Sequence, residues 1–172
     1  LELAAVRLRQ LPPAELAQQM LAARGHGQLS STWLQQTRRN ISERHRTLQA
    51  AIDWSVRMLP PAQADAFCRL GAFTGGCSEA AAQAVADAGP EVLAALTRAN
   101  LTVRAGGRVT LLETLRADAV ERLAAAGGLA AGQRRHAVYF MAFGEQVYSG
   151  LLGDDQAAWM GAAQADHDNL LA

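Results

Sequence analysis

The sequence predicts a mainly α fold: a helical lead-in, a winged helix with a small β-hairpin, and a closing αα-hairpin. Three observations predict it. Residues of one face recur at helical spacing through most of the chain, as Leu48, Ala51, Ile52, Ser55, Val56 and Leu59 do. One stretch breaks that period: Leu101–Arg104 and Arg108–Leu111 alternate inward and outward around Ala105-Gly106-Gly107, a hairpin signal. The order of elements, two helices, a turn, two short helices, a hairpin and a helix, is that of a winged helix.

Each element has a local reason. Leu1, Ala4, Ala5, Leu8 and Leu11 form a helical stripe that Pro12-Pro13 interrupts, and Leu16, Ala17, Met20 and Leu21 give the next helix its inner face. Residues 26–44 are polar and read as a connection anchored by Trp33 and Leu34. The central helix spans about 46–59, with Thr47 as its cap and Pro60-Pro61 as its end. A helix over 61–72 buries Ala66, Phe67, Leu70 and Phe73, and Gly75-Gly76 turns the chain. Ser78 caps the next helix, with Glu79 in its first turn, where an acid suits the helix dipole. Gly89 stops that helix and Pro90 starts another, with Val92, Leu93 and Leu96 inward. After the hairpin a helix over 113–125 turns Leu115, Ala119 and Leu123 inward, and Gly127-Gly128 ends it. Ala137, Phe140, Met141, Gly144, Tyr148 and Leu151 then mark one long helix. Gly153-Asp154-Asp155 separates it from a last helical run carrying Trp159, Ala162, Ala163 and Leu170. Two such helices make an αα-hairpin of the kind that begins a stacked, TPR-like helical repeat. Its Tyr139, Phe140, Tyr148 and Trp159 are expected to offer an aromatic face. The chain opens and closes inside helical patterns, so the expectation is a piece of a longer polypeptide.

Composition narrows the function. Sixteen acidic residues balance sixteen basic ones, and every basic residue is arginine. With the abundance of alanine, this is the mark of a GC-rich bacterial genome. It is not the basic excess of a nucleic-acid-binding domain. Cys68 and Cys77 stand outside zinc-ligand spacing and are expected to be reduced, buried thiols of a cytoplasmic protein. No apolar run reaches the ~18 residues that span a bilayer. His26, His45, His136 and His167 are scattered, no nucleophile–base grouping is visible, and the phosphate-cradling G-x-x-x-x-G-K-[ST] is missing. Asp166, His167 and Asp168 are successive on a helix and diverge by about 100° each, so no metal site is expected. No catalytic residue is expected in this segment.

Several motifs resemble one family. Arg39-Asn40-Ile41-Ser42-Glu43-Arg44-His45-Arg46, continuing to Trp54-Ser55, resembles the entry to the winged helix of bacterial STAND-type regulators. These are signal-transduction ATPases that include the AfsR-like and large LuxR-type predicted ATPases. Leu70-Gly71-Ala72-Phe73-Thr74-Gly75-Gly76 resembles its L-x-v-F-x-G-G turn, and Leu111-Leu112-Glu113-Thr114-Leu115-Arg116 its segment after the wing. Arg135–Phe140 and Ala165–Leu170 resemble the start of its helical repeats, and Leu1–Ala5 the helix after its G-L-P sensor motif.

The resemblance implies a division into 1–45, the end of a small helical domain of an NTPase module with its connector; 46–128, the winged helix; and 129–172, the first repeat. It implies a non-enzymatic regulatory segment of a transcription regulator, which couples the nucleotide state of an upstream ATP/ADP-binding domain to effector sensing by domain packing. The implied partners are that domain and C-terminal helical repeats, with DNA contacted through another domain of the parent protein and no membrane contact. In related apoptotic and plant immune NTPases the segment after the wing carries Met-His-Asp, whose His contacts the ADP phosphate. The matching positions here are Leu111, Leu112 and Glu113, and Leu112 cannot donate a hydrogen bond. Glu113 is left to pair with an arginine of a neighbouring domain or to cap its own helix.

Two other readings compete. A winged helix that binds DNA would use Arg98 on the helix Pro90–Asn100 and Arg104 and Arg108 on the wing. That helix carries one arginine and one glutamate, where groove readers present several polar side chains. A helical-repeat interaction scaffold would use the aromatic face of the last hairpin.

Overall fold

The computed structural model describes residues 47–172. The chain divides into two compact units, Leu1–Ala50 and Ala51–Ala172. The lead-in helices, the connection anchored by Trp33 and Leu34, and His26 and His45 all fall in residues 1–46 and lie outside the described residues.

Helix α1 (residues 47–57) buries Ile52 and Val56 and part of Leu59, whereas Leu48 is exposed. Thr47 is already helical. The proline pair ends α1 as expected, and Pro61 opens α2 (Pro61–Leu70) at its first position, where a missing N–H costs nothing. Arg122 joins Asp118 one turn earlier on its own helix, at 2.6 Å, to Asp53 of α1.

The turn after α2 leads into β1 (Cys77–Ser78), α3 (Glu79–Ala86), α4 (Pro90–Arg98), β2 (Val103–Ala105), β3 (Arg108–Thr110) and α5 (Glu113–Ala125). The strands form an antiparallel sheet in the order β1-β3-β2, with Cys77 opposite Val109 and Arg104 opposite Val109 on the other side. The hairpin turn has two residues rather than three. Gly106 and Gly107 both have positive φ (58° and 75°), the requirement of the turn that matches strand twist. The third strand, β1, had no visible signal, being two residues long.

Ser78 caps α3 through its hydroxyl, which accepts from the Ala81 N–H at 3.1 Å. The stop is Asp87, not Gly89. Asp87 takes the left-handed conformation (φ 55°) and the Ala88 N–H reaches back to the Ala82 carbonyl at 3.2 Å. Gly89 is the residue before α4. Helices α3 and α4 with their short turn make a helix-turn-helix.

Phe67, Leu70, Leu93, Leu96, Leu101 and Val109 fill the core, with Cys77, Val85 and Ala119 between them. Gly71 lets α2 approach α5 closely, since a side-chain carbon there would lie 3.0 Å from the Ala119 Cβ and from the Val120 backbone nitrogen.

Helices α6 (Leu129–Leu151) and α7 (Gln156–Ala165) form the antiparallel hairpin, followed by one turn, α8 (His167–Leu170). The buried face of α6 is Gly132, His136, Phe140 and Val147, one residue out of phase with the expected stripe; Ala137 and Met141 are exposed. A glycine and a histidine carry half of the true face, and neither adds to an apolar stripe. The expected aromatic face is correspondingly divided. Phe140 is buried and Tyr139 packs on the core, Trp159 lies against Gly150 within the hairpin, and Tyr148 is exposed. No helix of the described residues is long and apolar enough to cross a membrane.

Candidate functional site

The wing and the residues behind it hold the most densely connected polar groups of the unit. Helix α4 stands in the reading position of the helix-turn-helix. It turns Leu93 and Leu96 inward and leaves Glu91 and Arg98 outside. The Arg98 Nε donates to the Ala94 carbonyl at 3.3 Å, along its own helix.

The two wing arginines differ. Arg104, on the outer strand β2, pairs with Glu79 in the first turn of α3, and both side chains are about one-third exposed. Arg108, on the inner strand β3, points backward. Its Nη2 donates to Asp166 Oδ1 at 2.9 Å and to the Gly76 carbonyl at 3.3 Å. The hydrogen bond to Asp166 raises the Arg108 pKa above its ordinary value.

Asp166 is the first of two buried polar residues at the end of the chain. Asn169 is the second, 2% exposed. Its side-chain amide closes the turn between α2 and β1: Nδ2 donates to the Gly76 carbonyl at 2.7 Å and Oδ1 accepts the Thr74 N–H at 2.8 Å. Nδ2 also lies 3.1 Å from Asp166 Oδ1, and His136 Nε2 lies 3.3 Å from Asn169 Oδ1. The His136 ring packs between Phe73 and Phe140, at centroid distances of 5.4 and 4.6 Å. Gly76 is required twice over: its φ is 89°, and a side-chain carbon would lie 2.7 Å from the Val109 carbonyl and the Thr110 hydroxyl. These contacts clamp α8 and α6 to the turn and the wing.

Leu112 is 61% exposed and precedes α5. Glu113, in the first turn of α5, takes a bidentate pair with Arg116 one turn on, at 2.9 and 3.1 Å. That pair holds the Glu113 carboxyl below its ordinary pKa. Arg135 pairs with Asp87 at 2.7 Å and with the Ala84 carbonyl at 2.8 Å, while Arg134 is exposed.

Of Asp166, His167 and Asp168, Asp166 is buried and the other two are exposed. Among the described residues no group of three or more His, Cys, Asp or Glu is arranged to hold a metal ion. Both cysteines are free, and burial pushes the Cys77 thiol up to about 12, so it is no thiolate at neutral pH. Asp166, Asn169, His136 and Gly76 were not singled out by sequence reasoning as site residues. Their one trace is that all four fall within family-like runs: Gly76 in Leu70–Gly76, His136 in Arg135–Phe140, and Asp166 and Asn169 in Ala165–Leu170.

Compared with known proteins, the chain matches no family model and no solved structure. It is 32% identical, over 188 aligned positions, to proteins named putative HTH-type transcriptional regulators in Mycobacterium bovis and in two strains of Mycobacterium tuberculosis. The alignment takes in all of this chain and 20% of each of those proteins, so the chain spans about a fifth of the length of the curated relatives it matches.

Proposed function

We propose that this chain is a non-catalytic regulatory segment of a bacterial, cytoplasmic transcription regulator of the STAND ATPase type. In this reading its winged helix acts by packing, not by reading DNA. Residues 46–128 are the coupling module and 129–172 begin the helical repeats. The ATP or ADP site, and the contact with DNA, belong to other domains of the parent protein.

The observation that carries this reading is the direction of Arg108. A wing that binds DNA offers its arginines to phosphates; here Arg108 is directed into the clamp, toward Asp166 and Gly76. The ordered family-like motifs and the likeness to named transcriptional regulators support the regulatory context. The exposed Leu112 and the internally paired Glu113 support placing the nucleotide site elsewhere.

One observation favours direct DNA contact as the second reading: α3 and α4 form a helix-turn-helix with Arg98 exposed. Fluorescence anisotropy with mixed labelled duplexes separates the two. The expected result is no binding tighter than the ~10⁻⁴–10⁻⁶ M of non-specific contact at physiological salt. A salt-sensitive nanomolar affinity, lost on Arg98→Ala, would establish the DNA reading instead. Calorimetry with ADP and ATP is expected to register no binding, and a micromolar affinity would move the nucleotide site into this segment.

A further inference from the structure

Beside the clamp, the turn after α2 and helices α5, α6 and α8 enclose an open cleft of about 610 Å³. That volume falls in the range of roughly 300–1,000 Å³ typical of small-molecule sites. Val120, Leu129, Phe140 and Met141 give it large apolar lining residues. Four nitrogen-bearing side chains, Arg116, Gln133, His136 and Asn169, line it as well.

His136 is 6% exposed, and its protonation pattern follows from its neighbour. Asn169 cannot flip, because Oδ1 accepts a backbone N–H and Nδ2 donates to a backbone carbonyl. His136 Nε2 faces that Oδ1 and must carry the proton. In the neutral ring Nδ1 is therefore an acceptor. It has no hydrogen bond among the described residues, and none of their buried side-chain nitrogens or oxygens lacks a partner. Nδ1 accordingly opens to accessible space, on a side chain that lines the cleft. Arg116 holds Glu113 through Nε and Nη2, and its Nη1 has no acceptor among the described residues.

We propose that this cleft binds a small amphipathic carboxylic acid that also carries a hydroxyl group. The carboxylate meets Arg116 Nη1, the hydroxyl donates to His136 Nδ1, and the hydrocarbon lies on Val120, Leu129, Phe140 and Met141. Arg116 is the one charged side chain in the lining, which selects an anionic group. The acceptor at His136 Nδ1 selects a donor. The site is independent of the coupling role proposed above.

The test uses the whole 172-residue chain with three probes: 3-hydroxyoctanoate, octanoate and 1,3-octanediol. Calorimetry is expected to give a single saturable site for 3-hydroxyoctanoate, with octanoate bound about tenfold more weakly for want of one hydrogen bond. In two-dimensional NMR the shifts concentrate at Gly71, His136 and Ala137. Ala137→Trp, which fills the cleft from an exposed position on α6, is expected to weaken all three probes by at least about tenfold without changing the helical circular dichroism. Arg116→Gln is expected to weaken the two acids and leave the diol unaffected. No saturable binding up to about 10 mM, or binding that both variants leave unchanged, overturns the proposal.

Discussion

Two seams fasten α6 and α8 to the elements before Gly128, and they are made of different material. The outer seam is ionic. Asp87 receives Arg135 at 2.7 Å and Arg69 at 2.5 Å, with the aspartate side chain 53% exposed. The inner seam is the clamp, where Asp166 is 9% exposed at its side chain and the Asn169 amide satisfies two backbone groups of the Thr74–Gly76 turn. Exposed ion pairs contribute about 0–1 kcal/mol and are screened by salt. A buried amide that closes a turn differs, because removing it strands its partners at about 1–3 kcal/mol each. The comparison indicates that the attachment rests on a neutral side chain, with the charges around it setting direction.

Asn169→Ala should therefore have the largest effect. It leaves the Thr74 N–H and part of the Gly76 carbonyl unsatisfied, at about 3 kcal/mol, and lowers the thermal midpoint by roughly 10 °C. A loss below about 1 kcal/mol in urea unfolding would erase the distinction between the seams. Arg108→Met ranks next. It strands the Asp166 carboxylate beside Asn169, and because the arginine side chain is 28% exposed the cost falls to about 2 kcal/mol. Its unfolding midpoint should respond little to added salt. The smallest effect is Asp87→Asn, which keeps a residue tolerant of the left-handed backbone and removes only charge, at under ~1 kcal/mol.

The outer seam also has a pH signature. The hydrogen bond from Arg135 depresses the Asp87 carboxyl below its ordinary 3.8. A depressed carboxyl contributes stability above its unfolded value and loses it as pH falls through the folded one. The gap between the parent chain and Asp87→Asn should accordingly be full at neutral pH and close under acid. Urea midpoints measured from pH 7 downward check this, and a gap that widens in acid would contradict it.

What could be read from the chain alone follows the range of the interaction. The hairpin was legible because Gly106-Gly107 is a local conformational demand, and the cap of α3 because Ser78 acts on a backbone N–H three residues away. Pro61 and Pro90 announced the helices they open. Strand β1 was not legible, since two residues carry no period and its partner lies at Arg108 and Val109. The clamp was invisible for the same reason. Asn169 answers Thr74 and Gly76 across more than ninety residues, and Asp166 answers Arg108 across 58. Arg104 and Arg108 read identically as phosphate contacts; only the pleat separates them, since Arg104 lies opposite Val109 and shares its face of the sheet, whereas Arg108, next to Val109 on β3, lies on the other.

Cys77 sits on the strand beside β3, 1% exposed, in the electrostatic reach of both Arg108 and Asp166. With its proton held up to about 12, the sulfur is inert to alkylating reagents while covered. Its modification rate is thus an internal stopwatch for excursions that uncover the core beneath β1, recorded by mass spectrometry on the unaltered polypeptide. The half-buried Cys68 on α2, whose thiol burial also pushes up, supplies a second and less covered probe within the same molecule.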